Sequence, residues 1–301
     1  MAYPYLLLDV FTEQAFGGNP LAVFPHAKEI DRSLLQPIAR ELNLTETAFV
    51  YPARSPEASA ALRIFTPDAE VPFAGHPVVG AAFALEHAGL LDAGCSEIAF
   101  EVESTSVPVR LLRSTSGSLL QATMTQQRPV FLGQFPRCEL VAGALGLQPS
   151  DLAITGLPCE VVSTGLPVHI VPVGGLDAMR RIALRPSRLK DVKEALGFAD
   201  LFVFCFETED PTATVHCRMF APGFGIPEDP ATGAASGALG AYLVRRKIVP
   251  EKRLTQIVCE QGIEMGRPSR VLVEVECEGD RIAAVRVGGS AVIVGEGILS
   301  V

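Results

Sequence analysis

Residues 230–244 carry no charged side chain, and the run is rich in Gly, Ala and Ser. A surface helix shows one apolar stripe and one charged face. This run has no charged face, so a helix here must be buried on every side. Charges occur only at its ends, Asp229 before it and Arg245-Arg246-Lys247 after it, which matches the polarity of a helix dipole. Small residues all round let neighbouring backbone approach closely, and the simplest container is a strongly curved sheet wrapped around the helix. A second run echoes it. His76-Pro77-Val78-Val79-Gly80-Ala81-Ala82 and Asp229-Pro230-Ala231-Thr232-Gly233-Ala234-Ala235 share a polar residue, Pro, two small or branched residues, then Gly-Ala-Ala. Pro is favoured at the first helical position, where its missing N–H is not needed. The pattern therefore predicts helices over 77–87 and 230–246, capped by His76 and Asp229. Two helix starts facing each other would bind an anionic small molecule.

Most other segments read as short strands bounded by Gly, Pro or Asp: 5–11, 21–24, 47–51, 62–65, 98–102, 107–112 and 119–125, then 159–163, 168–173, 201–206, 214–221, 254–259, 270–275, 282–287 and 291–294. Helical spacing recurs at 33–42, 140–145 and 189–196. The class is α+β: two pseudo-symmetric lobes, each a rolled, mostly antiparallel sheet around one central helix. Ser114-Thr115-Ser116-Gly117-Ser118 is the most linker-like stretch. It divides the chain into a lobe over 1–117, to which a strand at 288–301 returns, and a lobe over 118–287.

Of the 301 residues, 48% are hydrophobic and 20% charged, enough apolar surface for a large core. The net charge of −9 argues against nucleic acid as a partner. The start MAYPYLLLDVF has no basic leader, and no apolar run reaches the roughly 18–20 residues of a membrane span. The expectation is a cytoplasmic protein with no membrane partner. The seven cysteines are scattered without a CxxC, as reduced buried thiols would be. The five histidines show no metal-ligand spacing, and there is neither a Walker loop nor a GxGxxG.

Three side chains stand out as acid–base candidates: His76 and Asp229 at the echo, and Glu46. In Leu44-Thr45-Glu46-Thr47-Ala48-Phe49-Val50 the strand period places Glu46 on one face with Leu44, Ala48 and Val50. A carboxylate among apolar side chains is desolvated, which suits a proton carrier. Asp9 and Asn19 border the turn Gly17-Gly18.

Taken together the segments resemble the phenazine-biosynthesis PhzF-like family. The resemblance rests on Asp9-Val10-Phe11, on 16–23, on Asn43-Leu44-Thr45-Glu46-Thr47-Ala48-Phe49 and on Phe73-Ala74-Gly75-His76-Pro77. It continues in Ser163-Thr164-Gly165-Leu166-Pro167, 218–224, Glu228-Asp229-Pro230-Ala231-Thr232-Gly233, Glu260-Gln261-Gly262 and Gly266-Arg267-Pro268-Ser269. It implies the diaminopimelate epimerase-like fold, with the active site in a cleft between two lobes, a homodimer, and no cofactor. In the family's phenazine enzyme a glutamate moves a proton along a dihydro-hydroxyanthranilate. The matching residue is Glu46, with His76 and Asp229 helping to hold the substrate and its proton. Asn19, Gly75, Gly233 and Ala234 fall where the small anionic substrate would bind. One departure stands out: a Ser follows the Asp-Pro-Ala-Thr-Gly motif in the phenazine enzyme, and this chain has Ala234.

Two other functions fit parts of the sequence. Racemases and epimerases of the same fold use two opposed cysteines at the helix starts, where this chain has His76 and Asp229. A binding or interaction protein without turnover would have no need to keep Glu46, His76 and Asp229 together.

Overall fold

A computed structural model describes residues 1–72, 75–103, 105–250 and 252–301. Phe73 and Ala74, from the stretch before His76, lie outside the described residues. The chain divides into two compact units. The first is built from 1–126, 267–269 and 286–301, the second from 127–266 and 270–285.

The first unit opens with β1 (Ala2–Val10), β2 (Asn19–Phe24), α1 (Leu35–Leu42), β3 (Glu46–Tyr51), β4 (Ala60–Phe65) and β5 (Glu70–Val71). Then come α2 (Gly75–His87), β6 (Glu97–Val102), β7 (Thr105–Arg113) and β8 (Leu119–Thr125). The second unit holds β9 (Val130–Gln134), α3 (Cys138–Leu145), α4 (Pro149–Ala153), β10 (Glu160–Ser163) and β11 (Pro167–Pro172). It continues with α5 (Leu176–Arg181), α6 (Pro186–Leu196), β12 (Leu201–Cys205), β13 (Val215–Ala221) and β14 (Ile226–Asp229). After α7 (Gly233–Arg245) come β15 (Leu254–Gln261), β16 (Ser269–Glu278) and β17 (Arg281–Gly289). Last, β18 (Ala291–Ser300) returns to the first unit.

The two units repeat one order of pairing. In the first, β1–β2 is antiparallel, β2–β3 parallel, β3–β4 and β4–β5 antiparallel, and β4–β6 parallel. In the second, β10–β11, β11–β12, β12–β13, β13–β14 and β13–β15 follow the same sequence of directions. Helices α2 and α7 occupy the same place in each series, before the strand that closes the second parallel pair. Each of these parallel pairs needs a crossover, and the long buried helix supplies one of the two in each unit. The result is a mixed α and β fold with a large sheet and few helices.

The uncharged helices are interior, as their composition predicts. Of α2, Gly75 to Ala82 are all buried, and the helix packs against β1, β2, β3, β8 and β18. In α7, Ala235 to Leu243 are buried, and the helix packs against β10, β11 and β15. Glycine makes the close approach possible. A Cβ at Gly80 would lie 2.3 Å from Leu21 Cδ2, and one at Gly240 would lie 2.6 Å from Val273 Cγ1. Smaller cores form under the outer helices. One stacks Tyr5, Phe24 and Phe49 beneath α1, and the other gathers Val141, Leu145, Met179 and Val192 among α3, α5 and α6.

The strands read from sequence all form, with ends shifted by up to several residues. Strands β5, β9 and β14 and helices α4 and α5 were not expected. The serine-rich stretch 114–118 is no linker. It is the tight turn from β7 to β8, closed by Ser114 N–H donating to the Ser118 carbonyl at 2.9 Å. No helix among the described residues is long and apolar enough to cross a membrane.

The helix starts also differ from expectation. Helix α2 already includes Gly75, so His76 lies inside the first turn rather than capping it. Pro77 is still tolerated, because the first N–H groups of a helix have no intrahelical partner. Helix α7 starts only at Gly233, with Thr232 as its N-cap. Asp229 is instead the last residue of β14, held opposite Met219 of β13. Pairing with β13 thus claims the residue expected to cap the helix, and residues 230–232 become the connection into α7. Both helices run for 13 residues from an initial glycine, so the equivalent pairs are Gly75 with Gly233 and His76 with Ala234.

Candidate active site

In the first unit the fold brings Glu46 and His76 together. Glu46 is the first residue of β3, and its register with β2 is fixed by the parallel pair Leu21↔Glu46. Its Oε2 lies 3.3 Å from Nδ1 of His76, and the two side chains are only 13% and 6% exposed. Burial drives the His76 imidazole down to about 3, so it is neutral across the physiological range. Its Nε2 is buried and meets no hydrogen-bond partner among the described residues. Ala48 and Val50, on the Glu46 face of the strand, are buried, and so are Thr47 and Phe49 on the other, so β3 is covered on both faces and shows no alternation. A carboxyl group is thereby set against an uncharged imidazole in a largely dry environment, an arrangement that can hold and pass a proton.

Asn19 opens β2 opposite Val10 and is fully buried. The turn before it is tied down by Asp9 and by Arg267, a residue with no role assigned from sequence. Arg267 donates to the carbonyls of Gly17 and Gly18 at 2.7 and 2.8 Å and to Asp9 Oδ1 at 2.5 Å. Asp9 Oδ2 in turn accepts from Phe16 N–H at 2.6 Å. Asp9 therefore holds the turn, as its position suggested. The signal for Arg267 was the Gly-Arg-Pro-Ser segment, which carries no obvious chemistry by itself.

In the second unit Asp229, Gly233 and Ala234 cluster where β14 passes into α7. The Thr232 hydroxyl makes no capping bond to the helix and donates to Asp229 Oδ2. Gln261, fully buried at the end of β15, holds the whole connection. Its Nε2 donates to the Asp229 carbonyl at 2.7 Å and to Thr232 Oγ1 at 3.0 Å, and its Oε1 accepts from Thr232 N–H at 3.1 Å. Gln261 thus orients Thr232 toward the Asp229 carboxylate, to which the Thr232 hydroxyl donates a hydrogen bond. The Ala234 carbonyl accepts from the Thr164 hydroxyl at 3.2 Å.

Neither helix start holds a thiol: the first residues are Gly75-His76-Pro77 and Gly233-Ala234-Ala235. A mechanism with two opposed cysteines has no nucleophile there. Among the described residues, no group of three or more His, Cys, Asp or Glu could hold a metal ion.

Residues 8–297 match the model of the family described as phenazine biosynthesis-like protein. The chain is 40% identical over 302 residues to an uncharacterized isomerase of Mesorhizobium japonicum, covering 98% of each. It is 36% identical over 295 residues to the trans-2,3-dihydro-3-hydroxyanthranilate isomerase of Pseudomonas aeruginosa, covering 97% of this chain and 98% of that one. The crystal structure of a Bacillus anthracis phenazine biosynthesis protein of the PhzF family superposes with a TM-score of 0.91 at 29% identity, covering 100% of both chains. The chain belongs to the phenazine biosynthesis-like, PhzF family and is an isomerase.

Proposed function

We propose that this isomerase works without a cofactor and that Glu46 carries a proton between two positions of a small, carboxylate-bearing metabolite. The observation that carries this reading is the 3.3 Å contact between Glu46 Oε2 and His76 Nδ1, both shielded from water. The Glu46 carboxylate takes a proton from a carbon beside an activating group. The C–H bond breaks and its electron pair enters the conjugated system. The resulting carboxylic acid returns the proton to another carbon of that system, so a double bond moves and nothing is oxidised or reduced. Neutral His76 can serve both states of Glu46, because Nδ1 donates to a carboxylate in one tautomer and accepts from a carboxylic acid in the other. The starts of α2 at Gly75 and of α7 at Gly233 and Ala234 steady negative charge as it builds up. Asp229 and Asn19 help to hold the substrate, Asp229 through the orientation that Thr232 and Gln261 impose.

The names of the relatives support a dihydro-hydroxyanthranilate-like substrate. Ala234 points to a variation on it, because it lacks the hydroxyl that a serine there would offer a carboxylate. A hydrogen bond to a charged group is worth roughly 1.5–3 kcal/mol. In the same reading each unit is a mostly antiparallel barrel around its helix, in the manner of diaminopimelate epimerase, and the protein is a homodimer.

The test is incubation with trans-2,3-dihydro-3-hydroxyanthranilate and related unsaturated carboxylates in heavy water, followed by mass spectrometry. Glu46→Gln is expected to lower product formation and deuterium incorporation by about 10²–10⁴-fold. Incorporation that persists in the variant would remove Glu46 from the role.

A further inference from the structure

Cys138 and Cys159 lie outside the site described above, and their sulfurs are 3.3 Å apart. We propose that this pair is a reversible oxidation site that hydrogen peroxide, or another hydroperoxide, converts to a disulfide. The proposal does not depend on the isomerase mechanism.

Three features of the geometry favour it. The first is the backbone, which holds the two residues together. Phe135 N–H donates to the Cys159 carbonyl at 2.8 Å, and Cys138 Sγ reaches back to the Phe135 carbonyl at 3.5 Å. A disulfide needs the sulfurs to close to about 2.05 Å, a movement of little more than about 1 Å that side-chain rotation can supply. The second is the division of labour between the thiols. Cys138 is half-buried and can meet a small oxidant, whereas Cys159 is only 1% exposed and sits behind it. The third is reactivity. Cys138 is the first residue of α3, where the helix dipole favours a thiolate. The neighbouring Cys159 thiol pulls it down to about 6, against the opposing effect of burial. The same contact, with burial, drives Cys159 up, so it stays a thiol until its partner is oxidised.

The chemistry balances in two steps. The Cys138 thiolate attacks a peroxide oxygen, the O–O bond breaks, and sulfenic acid and hydroxide form. Cys159 sulfur then attacks the sulfenic sulfur, the S–O bond breaks, and the Cys159 proton leaves with the departing hydroxide as water. Two electrons pass from the sulfurs to the peroxide. The bridge would pin the start of α3 to the entry of β10. That entry also anchors α7, since the Tyr242 hydroxyl donates to the Pro158 carbonyl at 2.8 Å and Arg246 pairs with Glu160 at 2.7 Å.

The test treats the whole protein with hydrogen peroxide, then alkylates it under denaturing conditions. Titratable thiols are expected to fall from seven to five and to recover with dithiothreitol. No Lys or Arg lies between Cys138 and Arg180, so trypsin leaves both cysteines in one peptide. That peptide should escape alkylation, and cleavage after Glu139 and Glu160 with a glutamyl endopeptidase should leave the two cysteine-bearing fragments, 138–139 and 140–160, joined. In Cys159→Ser, Cys138 should stop at a sulfenic acid that dimedone traps, and in Cys138→Ser, Cys159 should stay reduced. The proposal is overturned if Cys138 passes to sulfinic acid while Cys159 remains alkylatable, if another pair bridges first, or if both thiols survive peroxide that oxidises the unfolded chain.

Discussion

At the residue scale, local pattern singled out Glu46 and His76 separately, and the fold sets them 3.3 Å apart. Each stands at the start of an element among apolar neighbours, where an acid–base side chain has no packing reason to be. Ala234 invites a gain-of-contact experiment. Ala234→Ser adds a hydroxyl to the first turn of α7 and is expected to lower KM for a dihydro-hydroxyanthranilate about tenfold, in line with roughly 1.5 kcal/mol for a charged hydrogen bond. An unchanged KM would separate that position from carboxylate binding. Gln261 is the less visible determinant. Gln261→Leu removes three hydrogen bonds to Asp229 and Thr232 in a buried place. It is expected to cost about 2–4 kcal/mol in urea denaturation and to lower kcat through Asp229. No reading of the sequence could assign that role, because Gln261 and Thr232 are 29 residues apart and their meeting depends on the parallel pairing of β13 with β15.

At the scale of elements, composition was the reliable guide and punctuation the unreliable one. The absence of charge in 230–244 marked a buried helix, and α7 is one. Pro did not mark the helix starts. In α2 it stands at the third helical position and in α7 it precedes the helix by three residues, since the first turn tolerates Pro anywhere and β14 competes for Asp229. The elements missed were those too short or too exposed to show a period: the two residues of β5 and four of β14, the mostly exposed β9, and α4 and α5 with five and six residues. Tight packing of the central helices gives a sharp prediction. In Gly80→Ala the new methyl would meet Leu21 and Val10, both fully buried and with nowhere to retreat. Overpacking costs typically 1–3 kcal/mol, against about 1 kcal/mol gained in helix propensity. The expected result is a thermal midpoint lowered by a few degrees, measured by calorimetry.

At the scale of the whole molecule, buried histidines set the dependence of stability on pH. Burial drives His76 down to about 3 and His169 down to about 4. Below about 6.5 the unfolded chain binds protons that the folded chain refuses, so stability falls as the pH drops through that window. Each group contributes at most about 1.4 kcal/mol per pH unit. His216 behaves in the opposite sense. Burial pulls it down, but Glu264 and Glu260, at 3.0 and 2.7 Å, more than reverse this and leave it raised. Its contribution is complete below about 6.5 and fades as the pH rises through its raised value. His169→Leu is therefore expected to flatten the acid limb between about pH 6.5 and pH 4, measured by urea denaturation across a pH series. An acid limb of unchanged slope would show that His169 does not control it.

The pairing of β1 with β18 also has a consequence for the order in which the chain is made. Ala2 lies opposite Ser300 and Val10 opposite Ala291, so β1 waits for a partner translated some 280 residues later. The whole second unit emerges in between. During synthesis it can close before the first unit can, and β1 spends that interval with one edge open to whatever strand or chaperone it meets. Of the two units, the one begun earlier is the one finished later.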